Sequence, residues 1–162
     1  MKILLLLRHA KSSWKQPEQH DHERPLNKRG KKEAPIVGKY LKDNGLVPDL
    51  ILSSTARRAH DTAQAVAEES GYPKALELNQ DLYLSDTACY LDILRSLPDD
   101  VNLVLVVGHN PDLEELLTLL TDATQHLPTA GLARVDLPIS SWQELNEATD
   151  GRLQYLWSPH NQ

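Results

Sequence analysis

The chain opens on an apolar run, Ile3-Leu4-Leu5-Leu6-Leu7, that stops abruptly at Arg8-His9. A run of this length bounded by polar residues reads as a β-strand, Lys2 to Leu7, buried on both faces. A strand of that kind needs a layer above and a layer below it. The same design returns further on, where Val104-Leu105-Val106-Val107 ends in Gly108-His109-Asn110-Pro111. Two buried strands therefore each deliver a histidine at the C-terminal end, where open α/β sheets bind their ligands.

Strand and helix patterns alternate along the rest of the chain, which indicates an α/β architecture. A polar loop runs from Ser12 to about Leu26. Asn27 caps a helix that continues to Asn44, with Gly45 as its terminator. Pro35 lies inside this helix and is expected to kink it or split off its first turns. Asp49–Ser53 reads as a strand, Ala56–Ser70 as a helix stopped at Gly71, and Ala75–Leu78 as a short strand. Asp86 or Thr87 caps a helix through Leu97, with Leu91, Leu94 and Leu97 facing inward. Asn102–Val107 is the strand carrying His109, and Asn110-Pro111 reads as the N-cap and first residue of the next helix, to about Thr121. Leu132–Leu137 and Leu153–Trp157 alternate and read as antiparallel strands nearer an edge. Residues 158–162 are expected to form a loose tail.

With 162 residues, the chain has room for one domain and a proper core, so residues 1–162 are expected to form a single domain. The net charge of −6 argues against a general nucleic-acid or membrane-surface binder. An anionic ligand must then be held by a local cluster of bases. Such clusters occur at Arg24, Lys28, Arg29, Lys31 and Lys32, and at Arg57 and Arg58. The single cysteine, Cys89, excludes an internal disulfide and, lying in an apolar helical pattern, reads as core. No signal peptide is visible, and a cytoplasmic protein is expected.

Four pieces can converge on one point. Arg8-His9, with Lys11 and Ser12 beyond it, offers a permanent cation and an imidazole, a natural site for a phosphoryl group. Ser53-Ser54-Thr55-Ala56-Arg57-Arg58 places hydroxyls and two arginines at a helix start, a local cost to the helix that phosphate binding would explain. Gly108-His109-Asn110 is a further strand-to-helix turn. The segment Arg24 to Lys32 surrounds the first helix start. His20-Asp21-His22-Glu23 invites comparison with a metal cluster, but no second ligand pair accompanies it, and it reads as a solvated loop. His60, His126 and His160 sit in polar surroundings and read as surface residues.

These motifs resemble the histidine phosphatase superfamily, and most closely its small phosphohistidine phosphatases. The resemblance rests on Arg8-His9-Ala10, Arg24-Pro25-Leu26-Asn27 with Gly30, Ser53-Ser54-Thr55-Ala56-Arg57-Arg58-Ala59 with Thr62-Ala63, Gly108-His109 and Thr129-Ala130-Gly131. It implies a three-layer α/β/α sandwich of the phosphoglycerate mutase type, around a mostly parallel sheet with an antiparallel edge. Two departures stand out. Ala10 replaces the family's glycine, tolerable if its φ is negative. Thr55 replaces a proline and should loosen that turn slightly.

The resemblance also implies a mechanism. His9 is the nucleophile and carries the phosphoryl group until water removes it. Its second ring nitrogen should donate to a backbone carbonyl, which fixes the tautomer. Arg8, Arg58 and His109 surround the equatorial oxygens, and a protonated His109 would add positive charge. No metal or other cofactor is implied. Asp81 is the nearest match to the family's proton donor, with Asp86 second. Ser12, Lys15, Arg24, Asn27 and Asn110 are expected to contact the substrate, with Trp14 and Tyr83 at the rim. A weak acid would suit a phosphoramidate better than an alkyl phosphate, and a chain this short has little room for a lid. The expected partner is a phosphorylated protein, such as a phosphotransfer or phosphocarrier domain. A small phosphorylated metabolite acting at the same site is the alternative. A non-catalytic, phosphate-dependent binding module is the alternative of another class.

Overall fold

The computed structural model describes residues 1–161, the side chain of Asn161 excepted. Six strands form one sheet in the order β3-β2-β4-β1-β5-β6. They are β1 (Lys2–Arg8), β2 (Leu50–Ser54), β3 (Glu77–Asn79), β4 (Leu103–Gly108), β5 (Leu132–Leu137) and β6 (Arg152–Trp157). The first four are parallel where they pair, and β5 runs antiparallel to both β1 and β6. The helices are α1 (Lys28–Asp43), α2 (Arg57–Ser70), α3 (Thr87–Arg95) and α4 (Asp112–Thr121).

The period-2 rule explains the layering. On β1, Leu5 and Leu7 face one core, packed with Ala34, Val37 and Leu41 of α1 and Ala59, Ala63 and Val66 of α2. Leu4 and Leu6 face the other core, with Leu91 and Leu94 of α3 and Leu113, Leu116 and Leu117 of α4. All four leucines are fully buried. The result is the three-layer α/β/α sandwich, with β1 near the middle of the sheet. Among the described residues, no helix is long and apolar enough to cross a membrane.

Local signals set most boundaries. The Asn27 side chain accepts from Gly30 N at 2.8 Å and caps α1. Asp86 caps α3 through Cys89 N, and Gly71 ends α2 with φ +78°. Several expectations do not hold. Pro35 leaves α1 unbroken from Lys28 to Asp43. Pro35 is only half-buried and Lys31, the residue four before it, is exposed, so the lost hydrogen bond lies away from the core. Cys89 is exposed, not core. It precedes the inward Leu91 by two residues, which on a helix is about 200° around the axis. Asn110 does not cap α4. Its side-chain amide instead donates to the Leu127 carbonyl at 2.9 Å. The expected loose tail is tied down as far as His160. Ser158 is buried, residues Pro159–Asn161 form a turn of 3₁₀ helix, and His160 Nδ1 lies 3.0 Å from the Glu33 carboxylate. Gln162 lies outside the described residues.

Candidate active site

Sheet register brings the two histidines together. Arg8 pairs with Gly108 across β1 and β4, and His9 N donates to the Gly108 carbonyl at 3.1 Å. Adjacent strands are about 4.8 Å apart, so side chains leaving the ends of both strands must meet. The rings of His9 and His109 lie 5.2 Å apart between centroids, tilted by 52°. Strand β2 also pairs with β4 and supplies Ser54, whose hydroxyl is 2.8 Å from His109 Nε2. Arg58 enters from the first turn of α2. The pocket at this junction has a volume of about 260 Å³ and is lined by Arg8, His9, Ser12, Arg58, His109 and Asn110, with Lys11, Trp14, Asp21 and Thr129.

The backbone around His9 is pinned from several sides. Ala10 N donates to the Thr62 hydroxyl at 3.0 Å. Ala130 N donates to the carbonyls of Arg8 and His9, and Asn27 N to that of Lys11. Gly30 allows α1 to press against this loop, since a Cβ there would lie 2.2 Å from the Lys11 carbonyl oxygen. Ala10 is not among the positive-φ residues, so its substitution for glycine carries no backbone strain.

The electrostatics keep the two imidazoles neutral and leave one His9 nitrogen free. His9 Nδ1 lies 2.7 Å from the Ala10 carbonyl. A carbonyl only accepts, so Nδ1 carries the hydrogen, and in the neutral ring Nε2 holds a free lone pair. Burial, opposed by the Ala10 hydrogen bond and reinforced by Arg58 and Arg8, lowers the His9 pKa to about 4. Burial, then the neighbouring His9 and Arg58, lowers that of His109 to about 3. Both imidazoles are neutral near pH 7. The protonated His109 considered from sequence is therefore not the state of the free protein, because desolvation outweighs any local attraction. Among the described residues, His109 Nδ1 and Arg8 Nε are buried without partners, and the Arg8 guanidinium donates to the Leu127 carbonyl alone, at 3.2 Å. These are donors and acceptors held ready for an anion.

Four predicted site residues lie outside the pocket. Lys15 is exposed. Arg24 is buried and spends its guanidinium on the carbonyls of Gln16, Pro17 and Gln19, 3.8 Å over the Trp14 ring. It staples the 12–26 loop. Asn27 is a helix cap. Asp81 is exposed and lies in a short 3₁₀ turn after β3.

The carboxylate in the pocket is Asp21, from the segment expected to be a solvated loop. Arg58 donates to its backbone carbonyl at 2.7 Å and to Oδ2 at 3.0 Å, and the Tyr83 hydroxyl donates to Oδ2 at 2.6 Å. These bonds outweigh partial burial and hold Asp21 below the usual carboxylate range. His22 Nε2 is 2.9 Å from the Thr55 hydroxyl, so Thr55 anchors the loop over the β2–α2 turn. The available signal for Asp21 was four consecutive titratable residues beside an arginine-rich site.

Residues 4–84 match the histidine phosphatase superfamily, branch 1. The chain belongs to that superfamily. It is a phosphatase-type hydrolase of the small SixA-like branch. An uncharacterised chloroplastic protein of Arabidopsis thaliana is 34% identical over 150 residues, covering 87% of this chain and 69% of its own. An uncharacterised protein of Mycobacterium leprae is 32% identical over 152 residues, covering 86% and 91%. Among solved structures, a protein assigned as the phosphohistidine phosphatase SixA of Agrobacterium tumefaciens superposes with a TM-score of 0.81 at 31% identity, covering 98% of both chains. The protein histidine phosphatase SixA bound to tungstate superposes at 0.84 with 24% identity, covering 98% of both chains, and supports the fold.

Proposed function

We propose that this protein removes phosphoryl groups from phosphohistidine on other proteins, through a covalent phosphohistidine at His9. The observation that carries the reading is the pair of neutral imidazoles set between Arg8 and Arg58, with the His9 Nε2 lone pair free. His9 attacks phosphorus. Arg8 and Arg58 balance the charge on the equatorial oxygens, and His109 contributes its unpartnered Nδ1. Water then hydrolyses the intermediate. Ser12 and Asn110 line the same pocket and complete the oxygen contacts.

An open mouth supports a protein substrate over a metabolite. Trp14 is 62% exposed at the rim, and it lies in the connection between β1 and α1, residues 9–27, which also brings Ser12 and Asp21 to the pocket. The similar Agrobacterium protein is itself assigned as a phosphohistidine phosphatase. The reading takes residues 1–162 as one catalytic domain acting in the cytoplasm, in a signalling relay that uses phosphohistidine.

The test is a substrate panel. Phosphorylated phosphotransfer and phosphocarrier domains should be turned over at least tenfold faster, by kcat/KM, than sugar or glycerate phosphates, and His9→Ala should abolish both activities. Faster turnover of a metabolite would move the assignment to a small-molecule phosphomonoesterase. A wild-type protein that binds phosphate without hydrolysis would be a binding module.

A further inference from the structure

Resting on the phosphohistidine reading, we infer that Asp21 is the leaving-group recognition residue, whose carboxylate accepts a hydrogen bond from the free ring N–H of the substrate imidazole. His9 is 8% exposed and forms the pocket floor. In-line displacement expels the leaving group on the far side of phosphorus, toward the mouth. Asp21 is the one carboxylate among the residues lining the pocket, and its side chain is 47% exposed. Its two oxygens are used unequally. Oδ2 takes both Arg58 and Tyr83, whereas among the described residues Oδ1 has only Arg24 Nε at 3.9 Å, beyond hydrogen-bond range. One carboxylate oxygen is therefore fixed in place and the other is free to accept.

The chemistry of a phosphoramidate makes that acceptor useful. In the reactive form of phosphohistidine, one ring nitrogen bears phosphorus and the other bears hydrogen. The Nε2 lone pair of His9 forms a new P–N bond. The old P–N bond breaks, and its electron pair stays on the substrate ring nitrogen. The hydrogen on the substrate's other nitrogen does not move, so a neutral imidazole leaves and His9 becomes the phosphorylated imidazolium, its Nδ1–H still on the Ala10 carbonyl. The two rings exchange states. Asp21 does for the substrate ring what that carbonyl does for His9. In the second step water attacks phosphorus, the P–N pair returns to Nε2, and both water hydrogens leave on dihydrogen phosphate.

The same residue disfavours esters. Asp21 is held ionised by Arg58 and Tyr83, so it has no proton to give a departing alkoxide. Its charge also repels a phenolate. Asp21 is thus an electrostatic selector for a ring that is cationic while it bears phosphorus and leaves neutral, and the site has no need of a strong general acid.

The experiment compares phosphoimidazole, its N-methylated phosphoimidazolium analogue and p-nitrophenyl phosphate on wild-type and Asp21→Asn protein. Asn keeps the shape and an acceptor for Arg58. The substitution should lower kcat/KM for phosphoimidazole about ten- to hundredfold more than for p-nitrophenyl phosphate, the span of a charge-assisted hydrogen bond. Equal losses on both substrates would overturn the inference and leave Asp21 as a residue that only positions Arg58. If the variant fails to fold, the wild type alone decides. Relative to spontaneous hydrolysis, the methylated analogue should be at least about tenfold poorer than phosphoimidazole, and equal acceleration of the two would refute the role. Hydrolysis of p-nitrophenyl phosphate that survives His9→Ala would instead count against His9 as nucleophile, a failure of the reading underneath.

Discussion

Acid should weaken the fold through the two site imidazoles, and the size of the effect follows from their burial. His9 titrates at about 4 and His109 at about 3 in the folded protein, against 6.5 for a free side chain. Above pH ~6.5 both rings are neutral folded or unfolded, and their contribution is intact. As pH falls below that value, the unfolded chain takes up protons that the folded chain refuses. Stability therefore drops until each ring protonates in place, near pH 4 and 3. At pH ~5 each ring accounts for a loss of about 2 kcal/mol, and the pair for about 4 kcal/mol. Urea unfolding at pH ~7.5 and ~5 measures it. The wild type should lose about 2 kcal/mol more over that interval than His9→Gln, and about 4 more than the double variant with His109→Gln. Carboxylates such as Asp21 titrate in all three proteins and cancel in the comparison. Parallel losses in wild type and variants would refute the claim that these rings are buried neutral.

Three further outcomes test the site. Arg58→Ala should cost about 10²- to 10³-fold in kcat, the range for loss of one oxyanion donor, read by steady-state hydrolysis. Gly30→Ala should destabilise the protein by about 1–3 kcal/mol in urea titration, because its Cβ runs into the Lys11 carbonyl, and should lower kcat by moving the loop after His9. Asp81→Asn should change kcat/KM less than about twofold, since the side chain is exposed and away from the pocket. A large loss would restore it as proton donor.

What the sequence made legible was carried by periodicity and by residues whose roles are local. The apolar runs at Ile3–Leu7 and Val104–Val107 gave the buried strands, and with them the positions of His9 and His109. Asn27, Asp86 and Gly71 act within a turn of their own position, so their helix boundaries were readable. The arginine pair at the start of α2 was readable as a local cost to the helix, and of the two it is Arg58 that lines the pocket. The loop from Ser12 to Leu26 was not readable, because it has no period. Arg24 and Asp21 lie three residues apart there with opposite fates. Arg24 turns to three carbonyls of its own loop. Asp21 reaches Arg58, 37 residues away. Residue type alone cannot tell a guanidinium that binds carbonyls from one that binds phosphate. Nor can it tell a solvated carboxylate from one drawn into a pocket by a distant cation. Cys89 faces solvent for a simpler reason: an apolar window marks a helix as amphipathic, but two residues of phase decide which side a side chain takes.

The most direct test is to catch the phosphoryl group on the protein. The chain should be mixed with a phosphorylated phosphotransfer domain, quenched in alkali within a turnover, and digested for mass spectrometry. A single phosphoryl group on His9, stable to base, lost in acid and absent from His9→Ala, is the predicted result. Continued hydrolysis with no label at His9, or with the label on another residue, would contradict the account.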